Sequence, residues 1–428
     1  MRICVIGLGK MGLPLAAQYA SKGFSVIGCD VSEEVVKLVN SGVSHVKDEP
    51  ELDDKVKDAV ASGKLSATTD TVSAVRSSDA VVVIVPLVVD PKGKIKYTII
   101  DSVTKKVATG LKKGALVIYE TTLPTGDTRK RFAPMLEKSG LKAGSDFYLA
   151  FSPERISSGV TFDYLRNIPK IVGGVNDEST KKGVEFYGKV LDAKIISLSS
   201  CEAAESAKLF DMIYRDVNIA LANEFARFCS ARGLDILEII SAANSNPFSK
   251  LLLPGVGVGG HCTPVYPYFL IKKAADAGVN LSLAKKARKI NDSMPAFTVS
   301  LLKKDLGSLK KKNILVLGLA FRGNVKETFK SPAYAVMGAL KKAGANVFLN
   351  DPLFAKEELE KAGGIAADMQ NLGRIDGVVL VTNHREYKSL DFGKLAAAGV
   401  RVFVDGRNSV DKKKVEEAGI AYRGIGRT

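Results

Sequence analysis

An apolar run, Met1-Arg2-Ile3-Cys4-Val5-Ile6, breaks directly into Gly7-Leu8-Gly9-Lys10-Met11-Gly12, and a helical pattern follows from Leu13 to Ser21. A second apolar run, Ser25-Val26-Ile27-Gly28-Cys29, stops at Asp30. The order is strand, glycine turn, helix, strand, acid, and it predicts a dinucleotide site. Gly7 permits a tight turn, Gly9 lets the backbone approach a pyrophosphate, Gly12 lets helix and strand pack, and Asp30 accepts from a ribose 2′-hydroxyl. With no arginine beside it, Asp30 favours NAD over NADP, whose 2′-phosphate would meet a carboxylate.

Strand-like runs near residues 1 to 6, 25 to 30, 80 to 85, 115 to 119 and 147 to 151 alternate with helical patterns. This alternation is the signature of a parallel, doubly wound sheet. From Cys201 to Gly233 the period changes: Ala203, Ala207, Phe210, Ile213, Val217, Leu221, Phe225 and Phe228 recur at three- and four-residue steps. One long helix is predicted there, a spine between domains with a second apolar face suited to a dimer contact. A second α/β unit opens at Lys312, where Asn313–Leu317 enters Gly318-Leu319-Ala320-Phe321 and Asn346–Leu349 ends at Asn350-Asp351-Pro352. The expected fold is α/β, with two Rossmann-like doubly wound domains joined by a long central helix and a helical dimerisation domain. The expected divisions are 1–198, 199–300 and 301–428.

Composition narrows the class. At 428 residues, 46% of them hydrophobic and 25% charged, the chain exceeds one ordinary core and reads as a soluble globular protein. Its longest apolar run, Ala80 to Val89, is interrupted by Pro86 and stops at Asp90, far short of a membrane span. Five cysteines without a Cys-x-x-Cys pair argue against a disulfide framework and for the reducing cytoplasm. The net charge of +16 is spread over scattered lysines interleaved with acids, without a basic stripe carrying aromatics. A nucleic-acid partner is therefore not expected, and an anionic small substrate would use the same field. A homodimer or higher homo-oligomer is expected, and no metal site.

Candidate chemistry centres on Cys262, which follows Gly255, Gly257, Gly259 and Gly260. So little side-chain bulk would let a substrate reach the sulfur, although a glycine loop also serves simply to turn a chain. Cys4, Cys29, Cys201 and Cys229 lie in strand or helix patterns and read as buried small hydrophobes.

Four segments together resemble the UDP-glucose/UDP-N-acetylmannosamine dehydrogenase family: Gly259-Gly260-His261-Cys262, the run Tyr214 to Glu224, Ser152-Pro153-Glu154-Arg155, and Val404-Asp405-Gly406-Arg407-Asn408. The likeness extends from Gly7 to Asn408, and His261 with Tyr214-Arg215-Asp216-Val217-Asn218-Ile219-Ala220 resembles the N-acetylhexosamine branch more than the UDP-glucose branch. It implies a four-electron, NAD-dependent oxidation of a sugar C6 alcohol. The implied substrate is UDP-N-acetyl-D-mannosamine or UDP-N-acetylglucosamine. UDP-glucose, or a slow or inactive nucleotide-sugar-binding relative, is the alternative.

The resemblance also implies roles. Cys262 traps the C6 aldehyde as a thiohemiacetal, which is oxidised to a thioester that water hydrolyses. Thr122 lies near the reacting water and the cofactor, Glu154 is the acid/base, and Lys208 stabilises oxyanions. Pro86 joins Gly7, Gly9, Gly12 and Asp30 at NAD. Glu154, Arg155, Lys208, Gly259, Arg322 and Arg407 are the substrate-binding candidates, the arginines gripping phosphate by paired hydrogen bonds. Plainer readings stay open: Lys208 and Glu154 as surface charges, Thr122 as a helix cap, Arg322 and Arg407 as salt-bridged loop residues.

The chain departs from the family pattern at several positions. Tyr266 stands for an aspartate four residues after the cysteine, Met212 for an asparagine four after the lysine, and Leu87 and Asp127 for threonines. The stretch Val325-Lys326-Glu327-Thr328-Phe329-Lys330 lacks the usual acidic pair and arginine. Loss of a carboxylate and an amide near the chemistry predicts slow thioester hydrolysis and an adduct accumulating on Cys262.

Overall fold

The apolar runs form strands buried on both faces, as parallel strands covered by helices must be: Ile3, Cys4, Val5 and Ile6 are all nearly inaccessible. A computed structural model describes residues 1–47, 49–90, 94–156 and 159–427. They fall into two compact units, Met1–Asp211 with Tyr268–Ala277 and Met212–Pro267 with Gly278–Thr428. Both units draw on residues between 199 and 300.

The first unit holds β1 (Arg2–Ile6), β2 (Ser25–Cys29), β3 (Leu65–Thr68), β4 (Ala80–Val83), a small hairpin of β5 (Val88–Val89) and β6 (Ile95–Lys96), β7 (Leu116–Tyr119), β8 (Tyr148–Phe151), β9 (Lys170–Gly174) and β10 (Ile195–Ser197). Its main sheet runs β10-β9-β8-β7-β4-β1-β2-β3, parallel except where β8 meets β9. Sequence patterning does not single out β3, β9 or β10, which are short and carry serine, lysine or glycine.

The second unit holds β11 (Asn313–Leu317), β12 (Asn346–Asn350), β13 (Ile365–Ala366), β14 (Gly377–Leu380), β15 (Val402–Asp405) and β16 (Ala421–Gly424), in the all-parallel order β13-β12-β11-β14-β15-β16. In each sheet the order reverses at the first strand, β1 lying between β2 and β4 and β11 between β12 and β14. Gly7 and Gly318 therefore occupy the switch points, where doubly wound sheets bind ligands.

The long helix spans Cys201–Arg232, as its period predicts. Its facing differs from the expectation. Phe210, Leu221, Phe225 and Phe228 of the apolar series are exposed, together with Tyr214, whereas Ala204, Glu205, Lys208, Met212, Asp216, Ala220, Asn223 and Ala226 are buried. The inward face is small and polar because it holds loops by hydrogen bonds, so the hydrophobic period follows the outward stripe. Among the described residues no helix is long and apolar enough to cross a membrane.

Candidate active site

The first glycine turn is built for a dinucleotide. Gly7 has φ +97° and donates its amide to the Cys29 carbonyl at 2.8 Å. A Cβ on Gly12 would lie 1.7 Å from the Gly7 oxygen, so only glycine fits where the helix crosses the turn, while a Cβ on the exposed Gly9 would meet nothing within 4 Å. The helix Gly12–Ser21 starts without a side-chain cap or an acid in its first turn, so its terminal amides suit an anion. Asp30, half-buried, accepts from Leu8 N at 2.9 Å through Oδ2 and from Ser32 N at 3.0 Å through Oδ1. Each oxygen retains a lone pair for a ribose hydroxyl. The residues present therefore fit NAD. Pro86 is exposed just beyond β4, and Leu87 is buried beside it.

Thr122 and Lys208 are both buried, and the elements carrying them are tied together. Glu205, three residues before Lys208, accepts from Gly126 N at 2.5 Å and from Thr128 N and Oγ1 at 2.8 and 2.7 Å, while Thr125 bonds Ser206 at 3.0 Å. Burial pushes the Glu205 carboxyl up to about 7 against the pull of those donors. Asp127 is also buried, accepting from Tyr97 OH and Lys273 Nζ at 2.6 Å each, so this departure has gained its own partners, Lys273 among them on the helix Tyr266–Asp276.

Glu154 is not a surface charge. Its Oε2 accepts from Lys170 Nζ at 2.8 Å and its Oε1 from the amides of Arg155 and Ile156 at 2.6 and 2.9 Å. Lys170 also donates to the fully buried Glu120 at 2.7 Å, whose other oxygen accepts from Tyr187 OH and Tyr19 OH at 2.7 and 3.1 Å. Burial works to raise both carboxyls. Lys170 and the surrounding donors hold Glu154 ionised, and Glu120 is left with its proton affinity raised. Arg155 is turned to the Pro169 carbonyl.

In the second unit the glycines before Cys262 serve close packing. A Cβ on Gly259 would meet Phe321 Cβ at 2.8 Å and Lys330 O at 2.9 Å, and one on Gly260, whose φ is +94°, would meet the Phe321 ring at 2.9 Å. Gly260 N donates to Phe329 O at 3.0 Å, and the His261 ring stacks on Phe329 with centroids 4.1 Å apart and lies 3.3 Å from Glu327. The departures at 325–330 thus form a frame for the cysteine loop. Cys262 is half-exposed, and its carbonyl accepts from Val265 N and Tyr266 N as the next helix begins.

The approach to this loop is fixed from the long helix. Asn218 Oδ1 accepts from Leu252 N and Asn223 Oδ1 from Gly255 N, both at 2.9 Å, and Asp216 pairs with Arg288 at 2.6 Å and Asn291 at 2.8 Å. Arg407, half-buried, donates to Val381 O at 2.7 Å and Phe321 O at 3.4 Å, and its Nη1 lies 3.2 Å from a Cβ built on Gly255. Carbonyls rather than carboxylates hold it, so its charge stays available to phosphate. Arg322 is half-buried on the same loop as Phe321. Among the described residues no group of three metal-ligating side chains is assembled.

Sequence reasoning did not find Glu120, Lys170, Glu205, Asp351 or His384. The available signal was a charge placed at the end of an apolar strand: Glu120 after β7, Lys170 opening β9, Asp351 after β12.

A dinucleotide turn, a half-exposed cysteine on a glycine loop and a second doubly wound sheet carrying a carbonyl-held arginine define a nucleotide-dependent oxidoreductase. Residues 1–191 match the NAD binding domain of the UDP-glucose/GDP-mannose dehydrogenase family, 202–293 its central domain and 315–412 its UDP binding domain. The chain is 36% identical to the UDP-N-acetyl-D-mannosamine dehydrogenase of Pyrococcus horikoshii, covering 100% of this chain and 99% of that one. It is 32% identical to an NDP-N-acetyl-D-galactosaminuronic acid dehydrogenase of Ralstonia solanacearum, covering 96% and 97%. A solved structure of UDP-D-ManNAc dehydrogenase from P. horikoshii superposes with a TM-score of 0.92 at 35% identity, over 100% of this chain and 99% of that one. The chain belongs to the UDP-glucose/GDP-mannose dehydrogenase family and is an NAD-dependent dehydrogenase.

Proposed function

We propose that this chain oxidises the C6 alcohol of UDP-N-acetyl-D-mannosamine to the carboxylate. The full-length similarity to UDP-N-acetyl-D-mannosamine dehydrogenases carries this reading of the substrate. NAD, when bound, accepts a hydride from C6 in each of two oxidations, and water supplies the second carboxylate oxygen. Gly7, Gly9 and Gly12 hold the pyrophosphate and Asp30 the ribose, with Pro86 and Thr122 flanking the cofactor. The Cys262 thiolate adds to the C6 aldehyde, the thiohemiacetal becomes a thioester, and hydrolysis returns the thiol. Lys208 meets the developing oxyanion and Thr122 orients the water.

Arg407, Arg322 and the backbone at Gly259 take the UDP end. The Glu154 oxygens are engaged by Lys170 and two amides, so we assign it and Arg155 to shaping the substrate side of the first unit, a change from the acid/base role that resemblance implies. The exposed Tyr214, Leu221, Phe225 and Phe228 on one helix support a homodimer, because a stripe of this kind is costly in water. The cytoplasm suits an enzyme that depends on a free thiol.

NADH formation with UDP-N-acetyl-D-mannosamine, UDP-N-acetylglucosamine and UDP-glucose tests the reading. Slow turnover of the first, with two NADH per sugar and a sugar adduct that accumulates on Cys262, is expected. Preference for UDP-glucose would move the chain to the other branch, and oxidation of none of them would favour a binding role.

A further inference from the structure

We propose that His384 is a positioning residue for the UDP end of the substrate, setting the loop Phe321–Asn324 that carries Arg322. The proposal rests on the UDP reading above. The segment after β14 is fastened along the loop after β11 residue by residue. Thr382 Oγ1 donates to Ala320 O at 2.5 Å, and a Cβ on Gly323 would lie 2.4 Å from Asn383 O. Asn324 N donates to His384 Nδ1 at 3.0 Å, and Arg385 N donates to Asn324 Oδ1 at 3.0 Å. Asn324 holds φ +61°, a left-handed conformation that asparagine adopts more readily than other side chains and that these bonds hold in place.

The ring completes a relay. With Nδ1 accepting from a backbone amide, its proton sits on Nε2 and is donated to Asp351 Oδ2 at 3.0 Å. The same oxygen accepts from Leu319 N at 2.7 Å and Ala320 N at 3.0 Å. His384 and Asp351 are almost completely buried, and Tyr387 packs edge-on to the ring with centroids 5.6 Å apart. The imidazole therefore joins the acid at the end of β12 to the far side of the Phe321–Asn324 loop. From there the Phe321 carbonyl accepts from Arg407, and the Phe321 ring supports Gly260, two residues before Cys262. A shift of the loop would misplace Arg322 and Arg407 together, while the dinucleotide turn lies in the other unit.

Titrating UDP and NAD separately into the full-length protein tests this. His384→Gln keeps a donor toward Asp351 but leaves the Asn324 amide without its acceptor, and His384→Asn keeps an acceptor near the Nδ1 position. Removing the acceptor that fixes the Asn324 amide is expected to raise the Kd for UDP about tenfold in His384→Gln, with His384→Asn within about threefold of native and NAD binding unchanged in both. His384→Leu, which keeps the volume without either polar atom, should show the same split and serves if the glutamine variant does not fold. Native UDP affinity in both the Gln and Leu variants, or equal losses of UDP and NAD, would overturn the proposal. Failure of the native protein to bind UDP would instead remove the reading beneath it.

Discussion

The two switch-point turns share one backbone plan and serve different ends. Gly7 and Gly318 both have φ +97°, and each donates its amide at 2.8 Å to the last residue of the next strand, Cys29 or Asn350. Asp30 and Asp351 each accept from the amide after the glycine and from the amide two residues beyond themselves. The difference begins one residue later. Gly9 is exposed and open, whereas Ala320 is fully buried, with its amide bonded to Asp351 and its carbonyl to Thr382 and Ser331. Asp30 is half-buried, whereas Asp351 is closed off by His384. In the first unit the helix begins at Gly12, but in the second a loop runs to Ser331 before the helix Pro332–Lys342 starts. One fold thus presents open amides to a dinucleotide in one copy and spends them on its own loop in the other, so ligand choice lies in the turn and not in the sheet.

The largest expected break in this comparison is Gly12→Ala. With a Cβ placed 1.7 Å from a backbone oxygen, the helix must move, costing about 3 kcal/mol in thermal unfolding and abolishing NAD binding. Next comes pH. Burial raises Glu205 to about 7, so the native first unit binds its proton more tightly than the unfolded chain and loses up to a few kcal/mol as pH rises from 4.5 to about 7. Asp351 behaves in the opposite sense. Burial opposes its charge, but His384 and the amides of Ala320 and Leu353 hold it below its usual range, so its contribution is present above that range and lost in acid. Melting temperature followed across pH should fall towards neutrality as the Glu205 carboxyl gives up its proton, with Glu205→Gln flattening the fall.

A smaller effect is expected in cofactor choice. Asp30→Ala should narrow the preference for NAD over NADP by about tenfold, because one charged hydrogen bond and one repulsion are removed together. Smallest is Gly338→Ala on the helix Pro332–Lys342, where a Cβ meets nothing within 4 Å. It should stabilise by about 0.5–1 kcal/mol and leave both ligands untouched.

Much of this comparison was legible in the residues. The glycine turn at 7–12 and Asp30, the second turn at 318 and the helix at 201–232 all follow from periods and punctuation that depend on near neighbours in the chain. Pairings across distance were hidden. Nothing local tells that Lys170 meets Glu120 and Glu154, or that His384 reaches Asp351, since each pair closes only when the sheet assembles. The facing of the long helix was misread for a related reason: Asp216, Asn218 and Asn223 bond to loops that are distant in sequence, and a hydrophobic period registers no polar contact.

The most direct test is calorimetric titration of NAD and UDP into the native protein, Asp30→Ala and Arg407→Met. Both ligands should bind the native chain. Asp30→Ala should weaken NAD about tenfold with UDP within twofold, and Arg407→Met should weaken UDP at least tenfold with NAD within twofold, as expected for a charged bond lost from one unit only. Parallel losses of both ligands in either variant, or no UDP binding by the native protein, would contradict the assignment of one ligand to each unit.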